Sequence, residues 1–146
     1  MRRGSYILIV ELKEDEEISV GKLGILRFGR GYYAYAGSAM GGLDARIGRH
    51  MRQDKKKHWH IDYLLEKGMV RQVWYLEDEK IECEIARAME SEFGGIAGFG
   101  SSDCRCRSHL FHSESMDGLE KVARNMGMKK YGVRAATKYR NIYSKV

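Results

Sequence analysis

Gly31-Tyr32-Tyr33-Ala34-Tyr35-Ala36-Gly37 and, after a gap of five residues, Leu43-Asp44-Ala45-Arg46-Ile47-Gly48-Arg49-His50-Met51 form the stretch on which the fold turns. The tyrosine-rich run suits the pleated, half-buried surface of a strand, and its bounding glycines allow sharp entry and exit. The second run is helical in period. Leu43, Ile47 and Met51 recur at i, i+4 and i+8 and make one apolar stripe, while Arg49 and Arg52 fall on the far side. A strand followed closely by such a helix implies a sheet with a helix packed against it.

Outward from this stretch, Ser5 to Leu12 (Ser-Tyr-Ile-Leu-Ile-Val-Glu-Leu) is rich in β-formers and predicts a first strand, broken by Glu14 to Glu17. The connection containing Ile18 to Phe28 has β character of its own. Beyond the first helix, Trp59 to Lys67 predicts a short helix with Ile61, Leu64 and Leu65 inward and Gly68 ending it, although His58 to Asp62 also reads as a strand. Val70 to Leu76 predicts a third strand and Ile81 to Phe93 a helix ended by Gly94-Gly95. Gly95 to Ser108 reads as a loop, Leu110 to His112 as a short strand and Met116 to Met126 as a helix. The expected class is α+β: a small, three-stranded, mainly antiparallel sheet flanked by helices, with a C-terminal loop and helix extension. One domain is expected over residues 1–146, its core about 1–95 and its extension about 96–146.

Composition narrows the function. A chain of 146 residues with 43% hydrophobic and 32% charged residues is long enough for one core, and it holds no apolar run near the ~20 residues of a spanning helix. Three cysteines at uneven spacing make no fully paired disulfide framework, and Met-Arg-Arg-Gly at the start opens no signal-peptide h-region, so a reducing cytoplasm is expected. The net charge of +6 is unevenly placed. Arg46, Arg49, Arg52, Lys55, Lys56 and Lys57 stand against one acid, Asp54, and eight basic residues but no acid follow Glu120. From Trp74 to Glu120 the balance is reversed, with eleven acids and four bases. Such separation makes basic surfaces suited to a polyanion such as nucleic acid, and equally suits a plain solvated surface with a basic tail.

Several side chains are placed for chemistry. At 100° per residue, Glu82 shares a helix face with Ile85, Ala86, Met89 and Phe93, while Glu84 points the other way. A carboxylate on an apolar face costs several kcal/mol unless paired or bound to a cation, on the order of the burial penalty for a charge. Arg46 and His50 lie one turn apart beside the apolar stripe, where an Arg fork can hold a phosphate and a His can relay a proton. Tyr6 and Tyr35 sit in Gly4-Ser5-Tyr6 and Tyr35-Ala36-Gly37, next to glycines that permit close backbone approach. Cys104-x-Cys106-x-x-His109, with Cys83 elsewhere, supplies four soft ligands for a Cys₃His zinc site; the one-residue spacing is tighter than the usual zinc knuckle and weighs toward inert buried thiols. His58, His60 and Asp62 form another group, but on a helix His60 leaves the face that His58 and Asp62 share, which disfavours a metal triad.

The order Gly4-Ser5-Tyr6, Tyr35-Ala36-Gly37, Arg46 nine residues past that glycine, His50 one turn later and a helical Glu82 resembles the GIY-YIG nuclease superfamily. The runs Tyr-Ala-Tyr-Ala-Gly-Ser-Ala from Tyr33, His-Trp-His-Ile-Asp-Tyr-Leu from His58, Glu-Cys-Glu from Glu82 and Gly-Phe-Gly-Ser-Ser-Asp-Cys-Arg-Cys from Gly98 look like its small archaeal and bacterial branch, described as Uri-superfamily endonucleases or as a domain of unknown function. Ser5 and Ala36 replace the isoleucines of the superfamily's name. The interval to Arg46 is one residue longer than in many members, so Ser38 to Gly42 must absorb it.

The resemblance implies a metal-dependent endonuclease acting on phosphodiester bonds, of DNA before RNA, in repair or recombination. Glu82, chosen over Glu84 for its inward face, would hold Mg²⁺ or Mn²⁺. Tyr6 or Tyr35 would be the general base, which requires a lowered phenol pKa because an ordinary phenol titrates near pH ~10. Arg46 would neutralise charge on the phosphoryl group and His50 would position or share a proton. Arg49, Arg52, Lys55, Lys56 and Lys57 would contact nucleic acid, with Lys129, Lys130, Arg134, Lys138 and Arg140 as a second patch. Some relatives are fused to a DNA-repair glycosylase of the endonuclease III type, which implies such an enzyme as a partner. The alternative is a non-catalytic nucleic-acid-binding module of the same fold, carrying a structural zinc.

Overall fold

The computed structural model describes residues 2–132. In chain order its elements are β1 (Gly4–Leu12), β2 (Glu16–Ser19), β3 (Ile25–Phe28), β4 (Gly31–Ala39), α1 (Leu43–Met51), α2 (His60–Leu65), β5 (Met69–Glu77), α3 (Glu82–Glu90), β6 (Gly94–Gly95), β7 (Leu110–Ser113), α4 (Asp117–Asn125) and β8 (Lys129–Lys130). The class is α+β, with four described helices around an antiparallel sheet.

That sheet has six strands in the order β6-β7-β4-β1-β5-β8, and not the three expected, while β2 and β3 form a separate hairpin. The difference has a physical source. β7 is the short strand expected over Leu110 to His112, joined to the sheet through β4, while β6 and β8 hold two residues each, too few for a side-chain period, and are strands only because they pair with longer ones. Residues 96–132 hold the expected loop and helix, α4, and also give the sheet two strands: β7 pairs with β4 and β8 with β5. Gly94-Gly95 does not end α3, which is shorter than Ile81 to Phe93 and stops at Glu90 with Ser91 as its C-cap; the pair is strand β6, with Gly95 opposite Phe111 in the ladder.

β1 lies between β4 and β5 with both its faces covered, which is why its sequence runs apolar without alternation. Ile7, Leu8 and Ile9 are all fully buried. On one face Tyr6, Leu8, Val10, Tyr33 and Tyr35 pack under Leu43, Ile47 and Met51 of α1, Ile61 and Leu64 of α2 and Phe28 of the hairpin. On the other, Ile7, Ile9, Ala34 and Ala36 meet Ile85 and Met89 of α3 and Leu119 and Val122 of α4. α1 buries the expected stripe of Leu43, Ile47 and Met51. α2 is shorter than Trp59 to Lys67 because Trp59 is extended, with φ −103° and ψ 157°. Among the described residues no helix is long and apolar enough to cross a membrane.

Candidate functional site

Antiparallel pairing of β1 and β4 sets Tyr6 opposite Gly37. A Cβ at Gly37 would lie 2.5 Å from the Tyr6 ring and hydroxyl, so only glycine leaves room for the phenol to lie across β4. The Tyr6 hydroxyl thereby reaches His50 Nε2 at 2.8 Å, a buried contact between sheet and α1. The Tyr35 ring is 6.4 Å from the Tyr6 ring and 6.3 Å from that of His50. Tyr6, Tyr35 and His50 thus form one aromatic group under α1.

Arg46 and Glu82 meet at Ser38, near the end of β4. The guanidinium of Arg46 donates to the Ser38 carbonyl oxygen at 3.0 Å, and the Ser38 hydroxyl hydrogen-bonds the Glu82 carboxylate. Ser5, directly across the ladder, shares a 2.9 Å hydroxyl contact with Ser38 and accepts the backbone N–H of Ile81, which fixes the start of α3. α1 and α3 cover opposite sheet faces, so guanidinium and carboxylate arrive from two sides of one strand end. Glu82 has 14% of its side chain exposed and pairs with Lys80, whereas Glu84 is 47% exposed and faces Arg87. The sequence motifs give Ser38 and Lys80 no role, and Ser5 stands out there only as the residue in place of an isoleucine; a serine repeated at facing positions of two apolar strands is the signal that marks Ser5 and Ser38.

The phenols titrate against the expectation. Burial pushes Tyr6 up to about 12, outweighing the nearby positive charge of Arg46, and burial also raises Tyr35. The same burial drives His50 down to about 3, so the Tyr6–His50 contact joins two neutral groups. For Glu82, burial alone would raise the carboxyl, but hydrogen bonds from Lys80 and Ser38 prevail and hold it below its ordinary value. In this arrangement both phenols stay un-ionised at neutral pH.

Trp59 brings the two arginines of α1 together, with both guanidinium carbons 4.4 Å from its ring centroid. Arg49 is engaged by a carboxylate: it donates through two nitrogens, at 2.9 Å each, to the fully buried Asp62. This commits two of its guanidinium donors to Asp62 and a third to the Lys56 carbonyl, so Arg49 is held within the fold. Asp62 also accepts the backbone N–H groups of His58 and Trp59, and so caps α2 and serves no metal triad. Lys55 is turned onto the His50 and Arg52 carbonyls and Lys57 pairs with Glu66, while Arg52 and Lys56 are exposed. Lys129 and Lys130 form β8 on an outer edge; Arg134, Lys138 and Arg140 lie outside the described residues. Of the five expected catalytic residues, Tyr35 lines a small cleft of about 90 Å³ with His58, Trp59, His60, Gly100, Ser102 and Asp103.

A second cluster lies beside Glu82. Cys83, in the first turn of α3, joins Cys104, Cys106 and His109, and the four ligand atoms all fall within 4.8 Å of one another. All three thiols are free. Burial raises Cys83 and pushes Cys106 up to about 12, opposite to the lowered pKa of a nucleophilic cysteine.

Fold and site together define an α+β domain with a Tyr–His–Arg–Glu constellation at one strand end and a Cys₃His cluster next to it. Residues 5–131 match the model of the family described as Domain of unknown function DUF123, and the chain belongs to that family. No curated protein and no solved structure matches it.

Proposed function

We propose that this protein is a divalent-metal-dependent endonuclease of the GIY-YIG superfamily that hydrolyses phosphodiester bonds, DNA before RNA, in repair or recombination. What carries the reading is the meeting of the Arg46 guanidinium and the Glu82 carboxylate on Ser38, beside the Tyr6–His50 pair. A mostly buried carboxylate next to a hydroxyl is a hard, all-oxygen donor set that fits Mg²⁺ or Mn²⁺, so Glu82 with Ser38 would hold the ion. When bound, that ion supplies Lewis-acid stabilisation of the phosphoryl and leaving oxygens.

The chain's own side chains account for the rest. Arg46 has donors beyond the one spent on Ser38, and they face phosphoryl charge in a low-dielectric setting where each is worth several kcal/mol, roughly the value of one oxyanion-type donor. Tyr35, at the cleft, donates its hydroxyl to a phosphate oxygen. Tyr6 acts through His50: as the attacking water gives its proton to the Tyr6 oxygen, Tyr6 passes its own to His50 Nε2. The bound phosphodiester anion favours this transfer by raising the proton affinity of the imidazole above its resting value. The DNA-repair context and a glycosylase partner belong to the same proposal and rest on the sequence resemblance.

Single-stranded, duplex and flapped DNA and RNA, each incubated with Mg²⁺, Mn²⁺ or chelator, test the activity. Cleavage that requires the metal and falls by more than ~100-fold in Glu82→Gln, with binding intact, is expected, the size of a lost electrostatic stabiliser. Full activity in that variant removes Glu82 from the mechanism. One observation favours the second reading, a binding module without catalysis: the Lys80 ammonium already neutralises Glu82. Binding with no cleavage of any substrate would select that reading.

A further inference from the structure

We infer that Cys83, Cys104, Cys106 and His109 form a closed, four-coordinate Zn²⁺ site that ties the start of α3 to the loop before β7 and so fixes where Glu82 stands. The zinc site rests on these four side chains alone; only its consequence for Glu82 rests on the nuclease reading.

The geometry is close to that of a loaded site. Tetrahedral zinc with bonds of about 2.3 Å to sulfur and about 2.0–2.1 Å to nitrogen separates sulfur from nitrogen by about 3.6 Å and sulfur from sulfur by about 3.8 Å. His109 Nε2 lies 3.4 Å from Cys104 Sγ and 3.8 Å from Cys83 Sγ, which straddles the first value. The longest separation in the set, at most 4.8 Å, closes by rotation of side chains about 1 Å or less.

The donor set selects the ion. Three sulfurs and one imidazole suit Zn²⁺ and not the hard cations that an all-oxygen site takes, so this cluster and Glu82 would bind different metals. Four protein ligands leave no position for water or substrate, which marks a structural site. Three thiolates around Zn²⁺ carry one net negative charge, and Lys80 lies within electrostatic range of Cys83 and Cys104 to offset it. A disulfide framework fits less well, because an odd thiol is left over and the two nearest in sequence are one residue apart.

The mechanical role follows from connectivity. Between β6 and β7 the chain has no helix or strand, and three of the four ligands come from that loop. The fourth is adjacent to Glu82. His109 also accepts the Ala36 backbone N–H of β4 at 2.9 Å, two residues before Ser38, the hydroxyl partner of Glu82. Zinc would therefore bind loop, α3 and β4 together at the carboxylate.

The test uses the whole chain produced in zinc-containing medium without chelators. Elemental analysis is expected to find one zinc per chain, released when a mercurial titrates the thiols. The cobalt-substituted protein should show sulfur-to-cobalt charge-transfer and tetrahedral d–d bands, which weaken in Cys106→Ser. Stripping the metal should accelerate amide exchange at residues 81–84 and 98–109 by about tenfold or more while β1 stays protected, the pattern of a local opening. A folded wild-type chain that carries no zinc and takes up no cobalt overturns the site. An unchanged cobalt spectrum in Cys106→Ser overturns this donor set, and unchanged exchange at 81–84 overturns the link to Glu82. Absence of cleavage in a zinc-loaded protein would defeat the nuclease reading and leave the zinc site standing.

Discussion

His50 is 2% exposed, holds the Tyr6 hydroxyl on Nε2, and leaves Nδ1 buried without a hydrogen-bond partner. An imidazole in that position resists protonation, and its pKa falls from 6.5 to about 3. The unfolded chain then binds a proton between those two values that the folded chain does not. Stability is therefore lost as pH falls below 6.5, at up to about 1.4 kcal/mol per pH unit, and the loss levels off near pH 3. His60 and His109, lowered by burial too, act with the same sign, so the contribution of His50 is read as a difference. Urea unfolding of wild type and His50→Gln between about pH 6.5 and 4 should give a flatter pH dependence in the variant, and parallel curves would show that His50 takes up its proton without unfolding. The same pairing explains why spacing alone does not give the pKa of the phenol. Proximity to Arg46 was legible in the spacing, but the depth at which Tyr6 is buried was not, and depth decides its pKa.

The turn that leads into α2 shows how one element is held by a single carboxylate. Asp62 caps the helix and receives the Arg49 fork while its own side chain has 0% exposure, against 19% for Arg49. Removing the arginine leaves a buried charge with only backbone donors, so Arg49→Met should cost about 3 kcal/mol, the low end for breaking a buried ion pair. Chemical denaturation measures it, and a cost under about 1 kcal/mol would mean that water replaces the guanidinium at little expense. This pair also marks the limit of legibility at the element scale. α1, β1 and β4 could be read because nine-residue runs carry a clear period or a continuous β-forming composition. The Arg49–Asp62 pair, the joining of Cys83 to the Cys104 loop and the bridging role of Ser38 depend on which elements become neighbours, and local periodicity carries no record of that. β7 is legible as the short strand Leu110 to His112, but the two-residue edge strands β6 and β8 are not, since strands this short are defined by the partner they extend.

At the scale of the molecule, the excess of 26 basic over 20 acidic residues is less available for binding than the count suggests. Of the five side chains assigned to a phosphate-binding strip, Arg49 is engaged with Asp62, Lys57 with Glu66 and Lys55 with two backbone carbonyls. Arg52, Lys56 and Lys57 are exposed, and Lys57 faces Glu66, so Arg52 and Lys56 are the first candidates for a polyanion. A phosphate contact releases condensed counterions, and each one lost should reduce the steepness of log K against log salt by about 0.9 on duplex DNA. Under the proposed function, Arg52→Ala and Lys56→Ala should each produce that change, uniformly across sequences because phosphate contacts read no bases. Arg49→Met should instead lower stability and leave the slope unaltered once folded protein is compared. Fluorescence anisotropy over a salt series separates these outcomes. If the slope stays at its wild-type value in Arg52→Ala and Lys56→Ala but drops in Arg49→Met, then the Arg49–Asp62 pair opens to bind phosphate and the strip works through its buried member.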